Sequence, residues 1–174
     1  MFGRHFAVLL AGASAFATAA SASPFYDAAV CRPPYSMDSA TTLYDAAEKL
    51  AKPDTSLLFA NVYTLGEDLG EDGFRTRQVI FSSTSIGVLV EGLQADALAQ
   101  RYHLTKEVSS LLGTSTNGYA RALPADEQPM PDLGVVSIIA RESPALPGKT
   151  LLACEFVSAE DRKALDDYEK SRRP

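Results

Sequence analysis

The consecutive stretches LLFANVYTL (57–65), GEDLGEDG (66–73) and FRTRQVIFS (74–82) decide the fold class. Leu58, Ala60, Val62 and Thr64 alternate against Leu57, Phe59 and Tyr63, which is the two-residue period of a strand. Gly66, Gly70 and Gly73 punctuate a turn, and 74–82 resumes as a strand. The segment therefore predicts a β-hairpin with a long acidic tip. Arg75 and Arg77 fall on one side of the second strand, within reach of the acids at the tip.

Working outward, 86–91 is apolar and β-branched enough for a third strand. The period then changes at 93–102, where Ala95, Leu98 and Tyr102 share a row of a helix. Residues 108–112 suggest a short strand, and the three prolines of 123–133 (Pro124, Pro129, Pro131) an exposed loop. Two further strands, 135–141 and 150–157, join through SPALPG (143–148) as a second hairpin. Upstream, 23–38 reads as an irregular arm with Pro24, Pro33 and Pro34, and 42–52 as a helix capped by Thr42 and Asp45 and stopped by Pro53. Ser158 and Asp161 open a charged final helix with Ala164, Leu165 and Tyr168 facing inward. The expected fold is α+β: a largely antiparallel five- or six-stranded sheet with two or three helices packed on one face.

Residues 1–22 read as a signal peptide, with Arg4 at its start, an apolar core and a small-residue cleavage site ending at Ala22. The mature chain is then a single α+β domain, 23–174, with no transmembrane segment and a periplasmic or secreted location. Of 16 basic and 22 acidic residues in the whole chain, Arg4 leaves with the signal, so the mature net charge moves from −6 to −7. Oxidising compartments favour cysteine pairing, so Cys31 and Cys154 are expected to form a disulfide. Closing so long a loop stabilises a fold by roughly 4–5 kcal/mol on a chain-entropy account.

The composition, 46% hydrophobic and 22% charged, is that of a globular domain and excludes a disordered chain. Its acidity speaks against nucleic acid. With His103 the one histidine of the mature chain, no histidine-cluster zinc site is available, and no metal or cofactor is expected. A serine triad through His103 has Ser82, Ser83, Ser85 or Ser115 to draw on, but no G-x-S-x-G elbow is present. Glu91 and Glu155 lie among apolar strand residues, where paired-carboxylate chemistry stays formally open. Alternation places both on the outer face of the sheet. LPGKT (146–150) echoes the end of a phosphate loop without its first glycine or following helix. No catalytic residue is assigned.

The remaining local feature is the acidic turn, where Glu67, Asp68, Glu71 and Asp72 are candidate partner-binding residues aimed at a basic protein. Its spacing is not that of a calcium-binding loop. The expected function is an exported envelope (periplasmic) non-enzymatic binding protein of inhibitor or immunity type, acting on a basic protein partner. The alternatives are a structural component of an envelope assembly and a small exported hydrolase using His103 with a serine, or paired carboxylates.

Overall fold

The computed structural model describes residues 23–57, 59–107 and 117–172. Its centre is one eight-stranded antiparallel sheet made of β1 (Pro53–Asp54), β2 (Ala60–Thr64), β3 (Gln78–Ser82), β4 (Ser85–Glu91), β5 (Thr105–Lys106), β6 (Asn117–Ala122), β7 (Gly134–Glu142) and β8 (Lys149–Ser158). The order across the sheet is β1-β2-β3-β4-β8-β7-β6-β5. Two four-stranded meanders thus meet where β4 and β8 pair antiparallel, from Ser85 opposite Glu155 to Glu91 opposite Lys149. Each meander follows a helix, α2 (Met37–Leu50) or α3 (Ala95–Tyr102), while α1 (Pro24–Ala29) precedes and α4 (Ala159–Arg172) follows. The α+β class and antiparallel sheet stand. Among the described residues the strands number eight and the α-helices four, with a 3-10 turn at Ala125–Glu127, more than the five or six strands and two or three helices expected.

The additions have physical causes. Pro24 begins α1, because the first helical position tolerates a missing N–H. The arm is therefore no irregular tail: Phe25, Tyr26, Ala28 and Ala29 are buried. β1 is a two-residue edge strand that starts on Pro53, one of the few strand positions open to proline. β6 carries polar side chains on the helix-covered face, where Arg121 donates to the Tyr102 carbonyl (3.0 Å) and Tyr119 to Asp96 (2.6 Å). The strand expected at 108–112 lies outside the described residues.

Helix α2 is capped earlier than its sequence suggested. Ser36 accepts from the Ser39 N–H (3.1 Å) and Ser39 returns the bond to the Ser36 N–H (3.2 Å), while Thr42 sits inside the helix, donating to the Asp38 carbonyl (2.9 Å). Helix α4 starts as expected, with Ser158 accepting from the Asp161 N–H (3.0 Å). Its inward face is weaker than anticipated, since Ala164 is exposed and Tyr168 is 44% exposed.

The main core lies on one sheet face, where Val79, Phe81, Ile86, Val88, Leu152 and Cys154 meet residues of α1, α2 and α3. Cys31 and Cys154 form a disulfide within it, tying the turn after α1 to β8. The opposite face holds a smaller cluster, Val62, Ile80 and Leu89. Beside this cluster on the same face, Arg141 binds Glu107 through two nitrogens (2.7 and 2.9 Å) and Glu155 through a third (3.0 Å). Gly118 leaves the room this requires, because a Cβ there would stand 2.5 Å from a Glu107 carboxylate oxygen.

Candidate functional site

The acidic segment joins β2 and β3, which pair antiparallel as the expected hairpin, and part of it packs on the core. Leu65 and Leu69 are buried, and the Leu69 N–H donates to the Thr76 carbonyl (2.7 Å). Asp68 accepts from the Gly70 and Thr76 N–H groups (3.0 and 3.1 Å) and pairs with Arg75 (3.2 Å). The Gly70 N–H foremost, with that of Thr76 and the Arg75 charge, holds its carboxyl below the usual aspartate range. Asp72 pairs with Arg101 (2.8 Å) and accepts from the Tyr102 hydroxyl (3.4 Å); the Arg101 hydrogen bond lowers its pKa. Glu71 pairs with Arg32 (3.3 Å). Glu67 is exposed, and among the described residues it has no hydrogen bond or ion pair. Three of the four acids are thus engaged by the chain's own arginines. Arg75 pairs as its position suggested, although neither it nor Arg77 lies within β3. Arg77 donates to the Leu65 and Gly66 carbonyls (3.2 and 2.9 Å).

Among the described residues the catalytic candidates are not brought together. His103 is exposed, closing α3 in the left-handed conformation (φ 55°). Ser82, Ser83 and Ser85 lie at the β3–β4 turn and line a groove that His103 does not enter; Ser115 lies outside the described residues. Glu91 and Glu155 belong to opposite ends of the β4–β8 pair, about 20 Å apart at a strand's rise per residue. Glu155 does lie on the sheet face away from the helices, as alternation predicted, but it is half-buried in its bond to Arg141. Among the described residues no group of three or more His, Cys, Asp or Glu is placed to hold a metal ion. Among the same residues no helix is long and apolar enough to cross a membrane.

The groove itself is a well-formed concave feature. It runs between α2 and the β2–β3 ribbon and encloses about 530 Å³. Two of its lining rings, Tyr44 and Phe81, meet each other and the buried Tyr63 behind them edge to face, with centroids 5.4 to 5.9 Å apart. Asn61 fixes the Tyr44 ring by donating to its hydroxyl (3.1 Å). Tyr35, stacked on Phe156 at 6.3 Å, closes one end. Burial raises the pKa of the Tyr35 hydroxyl, so it stays neutral. The Ser82 and Ser85 hydroxyls share a 2.6 Å hydrogen bond at the mouth. No described residue that lines the groove carries a charge.

Phe59 stands at the rim. It is 84% exposed and has φ 61°, a left-handed conformation that bulky side chains rarely adopt. Next to it, the Ala60 N–H donates to the Leu57 carbonyl (3.2 Å). Met37, 63% exposed, faces the same opening from α2. Such a site offers shape, aromatic surface and a few neutral hydroxyls, and no nucleophile–base pair. No sequence motif marks it, because its walls come from three separate segments. No family model matches the chain, and no curated protein or solved structure shows significant similarity to it.

Proposed function

We propose that the protein is an exported, non-enzymatic binding protein of the bacterial envelope that receives an uncharged, apolar part of its ligand in the groove between α2 and β2–β3. The observation that carries this reading is Phe59, held exposed and in a left-handed backbone conformation at the rim of a groove lined without charge. Keeping a large apolar side chain in water and off its preferred backbone is costly, and such costs gather at sites of contact. The buried disulfide supports an oxidising compartment, as does the signal-like composition of residues 1–22. The excess of acidic residues adds long-range attraction for a basic protein partner, with Glu67 the acid of the loop left available for it.

A neutral fluorophore tests the groove without knowledge of the natural ligand. N-phenyl-1-naphthylamine should bind with saturation at one equivalent, with a midpoint unchanged between low and high salt. Ala40→Trp, which fills the groove, and Thr41→Glu, which charges its exposed helical wall, should each weaken binding about tenfold or more. Fluorescence that never saturates, or that saturates equally in both variants, contradicts the reading.

A further inference from the structure

Two methionines lie among the described residues, and their surroundings differ. Met130 is half-buried and packs against the main core. Met37 takes the first position of α2, is 63% exposed and lines the groove together with Ala40 and Tyr44. Its sulfur already has a partner there, since the Tyr35 hydroxyl donates to it (3.4 Å). Tyr35 is buried and stacked on Phe156, which puts this donor at the closed end of the groove. A thioether is a weak acceptor, whereas the sulfoxide made from it carries a strongly polar oxygen. The chain's two cysteines are bonded to each other, so no thiol competes with Met37 for an oxidant.

We propose that Met37 is an oxidation site through which a peroxide weakens the groove: its sulfoxide, held by the Tyr35 hydroxyl, places a polar group where the apolar part of the ligand has to sit. This rests on the groove reading given above. With hydrogen peroxide, the Met37 sulfur gives a lone pair to one peroxide oxygen, a sulfur–oxygen bond forms, the oxygen–oxygen bond breaks, and the second oxygen leaves as water. The sulfur loses two electrons and the peroxide gains them. The reverse step takes two thiols of a methionine sulfoxide reductase, which become a disulfide while the oxygen departs as water. An apolar ligand entering the oxidised groove has to strip water from the new oxygen or break its bond to Tyr35. The wall offers little to repay that loss, because the Ser82 and Ser85 hydroxyls are already bonded to each other (2.6 Å) and no described lining residue is charged. Met37 belongs to neither core cluster, so the change falls on binding and spares the fold.

The test uses the disulfide-bonded protein, with N-phenyl-1-naphthylamine as the probe. Brief treatment with hydrogen peroxide should add one oxygen to the peptide that contains Met37 while the Met130 peptide stays unchanged, both read by mass spectrometry. Once the peroxide is removed, the probe's dissociation constant should be about tenfold higher, with the far-ultraviolet circular dichroism unaltered. Methionine sulfoxide reductases A and B together should return it to its starting value. Met37→Leu, whatever its own affinity, should bind the probe identically before and after peroxide, and Met130→Leu should respond as the wild type does. Full oxidation of Met37 with no change in the binding midpoint overturns the switch and leaves the groove reading standing. So does a weakening that persists in Met37→Leu, or oxidation of Met130 ahead of Met37. A probe that does not saturate on the untreated protein overturns the groove reading, and the switch with it.

Discussion

Cys31 and Cys154 are bonded across 123 residues, with their Cα atoms 5.0 Å apart, so the turn that ends α1 is fastened to a strand at the centre of the sheet. Helix α1 has six residues, too few to hold itself in water. Its place in the core depends on this bond and on Phe25 and Tyr26. Replacing both cysteines with alanine should cost about 4 kcal/mol, read as a lower urea midpoint with a steeper slope, because the unlinked denatured chain exposes more surface. A midpoint equal to wild type would show that packing alone holds the helix.

Arg141 is the centre of a largely buried ion network on the sheet face away from the helices, bound by Glu107 and Glu155. Arg141→Ala leaves two carboxylates with no cation and should destabilise by about 3 kcal/mol. Replacing Arg141, Glu107 and Glu155 together with apolar residues of similar size should recover most of that loss. Denaturant unfolding of the two variants measures the difference, and a triple variant no better than Arg141→Ala contradicts it.

Gly87, in the middle of β4, has no space for a side chain: a Cβ would lie 2.7 Å from both the Ala153 Cβ and the Leu152 carbonyl oxygen. Gly87→Ala should therefore cost about 1–3 kcal/mol by forcing β4 from β8. Thermal unfolding should show the loss, and an unchanged midpoint would mean that the strands separate without penalty.

Asp68 and Asp72 have lowered pKa values, caused first by the Gly70 N–H and by Arg101 respectively. A carboxylate whose folded pKa is depressed adds stability above its unfolded pKa and loses it as pH falls through the folded value. Stability should thus decline below about pH 4, the ordinary aspartate range. Asp72→Asn should flatten this decline while lowering stability at neutral pH. Equal slopes for the variant and wild type between about pH 2 and 4 would remove Asp72 from the account.

Phe59 should show opposite effects on stability and binding. A left-handed conformation costs a non-glycine residue about 1–2 kcal/mol, and glycine escapes that cost. Phe59→Gly should leave the fold at least as stable as wild type while weakening probe binding in the groove. A destabilised Phe59→Gly, or one that binds as tightly as wild type, argues against a rim residue kept for contact.

The parts of the fold legible in the sequence are those with strong local periodicity. In β8, Leu152, Cys154 and Phe156 alternate with Ala153 and Glu155, and the strand forms where that pattern lies. Helix α3 buries Ala95, Leu98 and Tyr102, the row its spacing marked. What escaped has little local signal. Pro24 marks a helix start as readily as an irregular arm, and only the burial of Phe25 and Tyr26 decides between them. The polar face of β6 is satisfied by α3, a partner its own residues do not name. The acids of 66–73 read as free surface because Arg32 and Arg101, which neutralise two of them, lie about thirty to forty positions away in the chain. The groove was invisible for the same reason: Tyr44, Phe59 and Phe81 become neighbours only once α2, β2 and β3 have packed.

The most direct measurement is a map of backbone amide shifts in the isotope-labelled mature protein on titration with unlabelled N-phenyl-1-naphthylamine. The account predicts that the changes gather at Tyr35, Ala40, Tyr44, Asn61, Phe81 and Ser85, around the uncharged groove, and saturate together. Changes centred instead on Leu43, Leu65 and Leu69 beneath the acidic loop, or on Val62, Ile80 and Leu89 on the far sheet face, would contradict it.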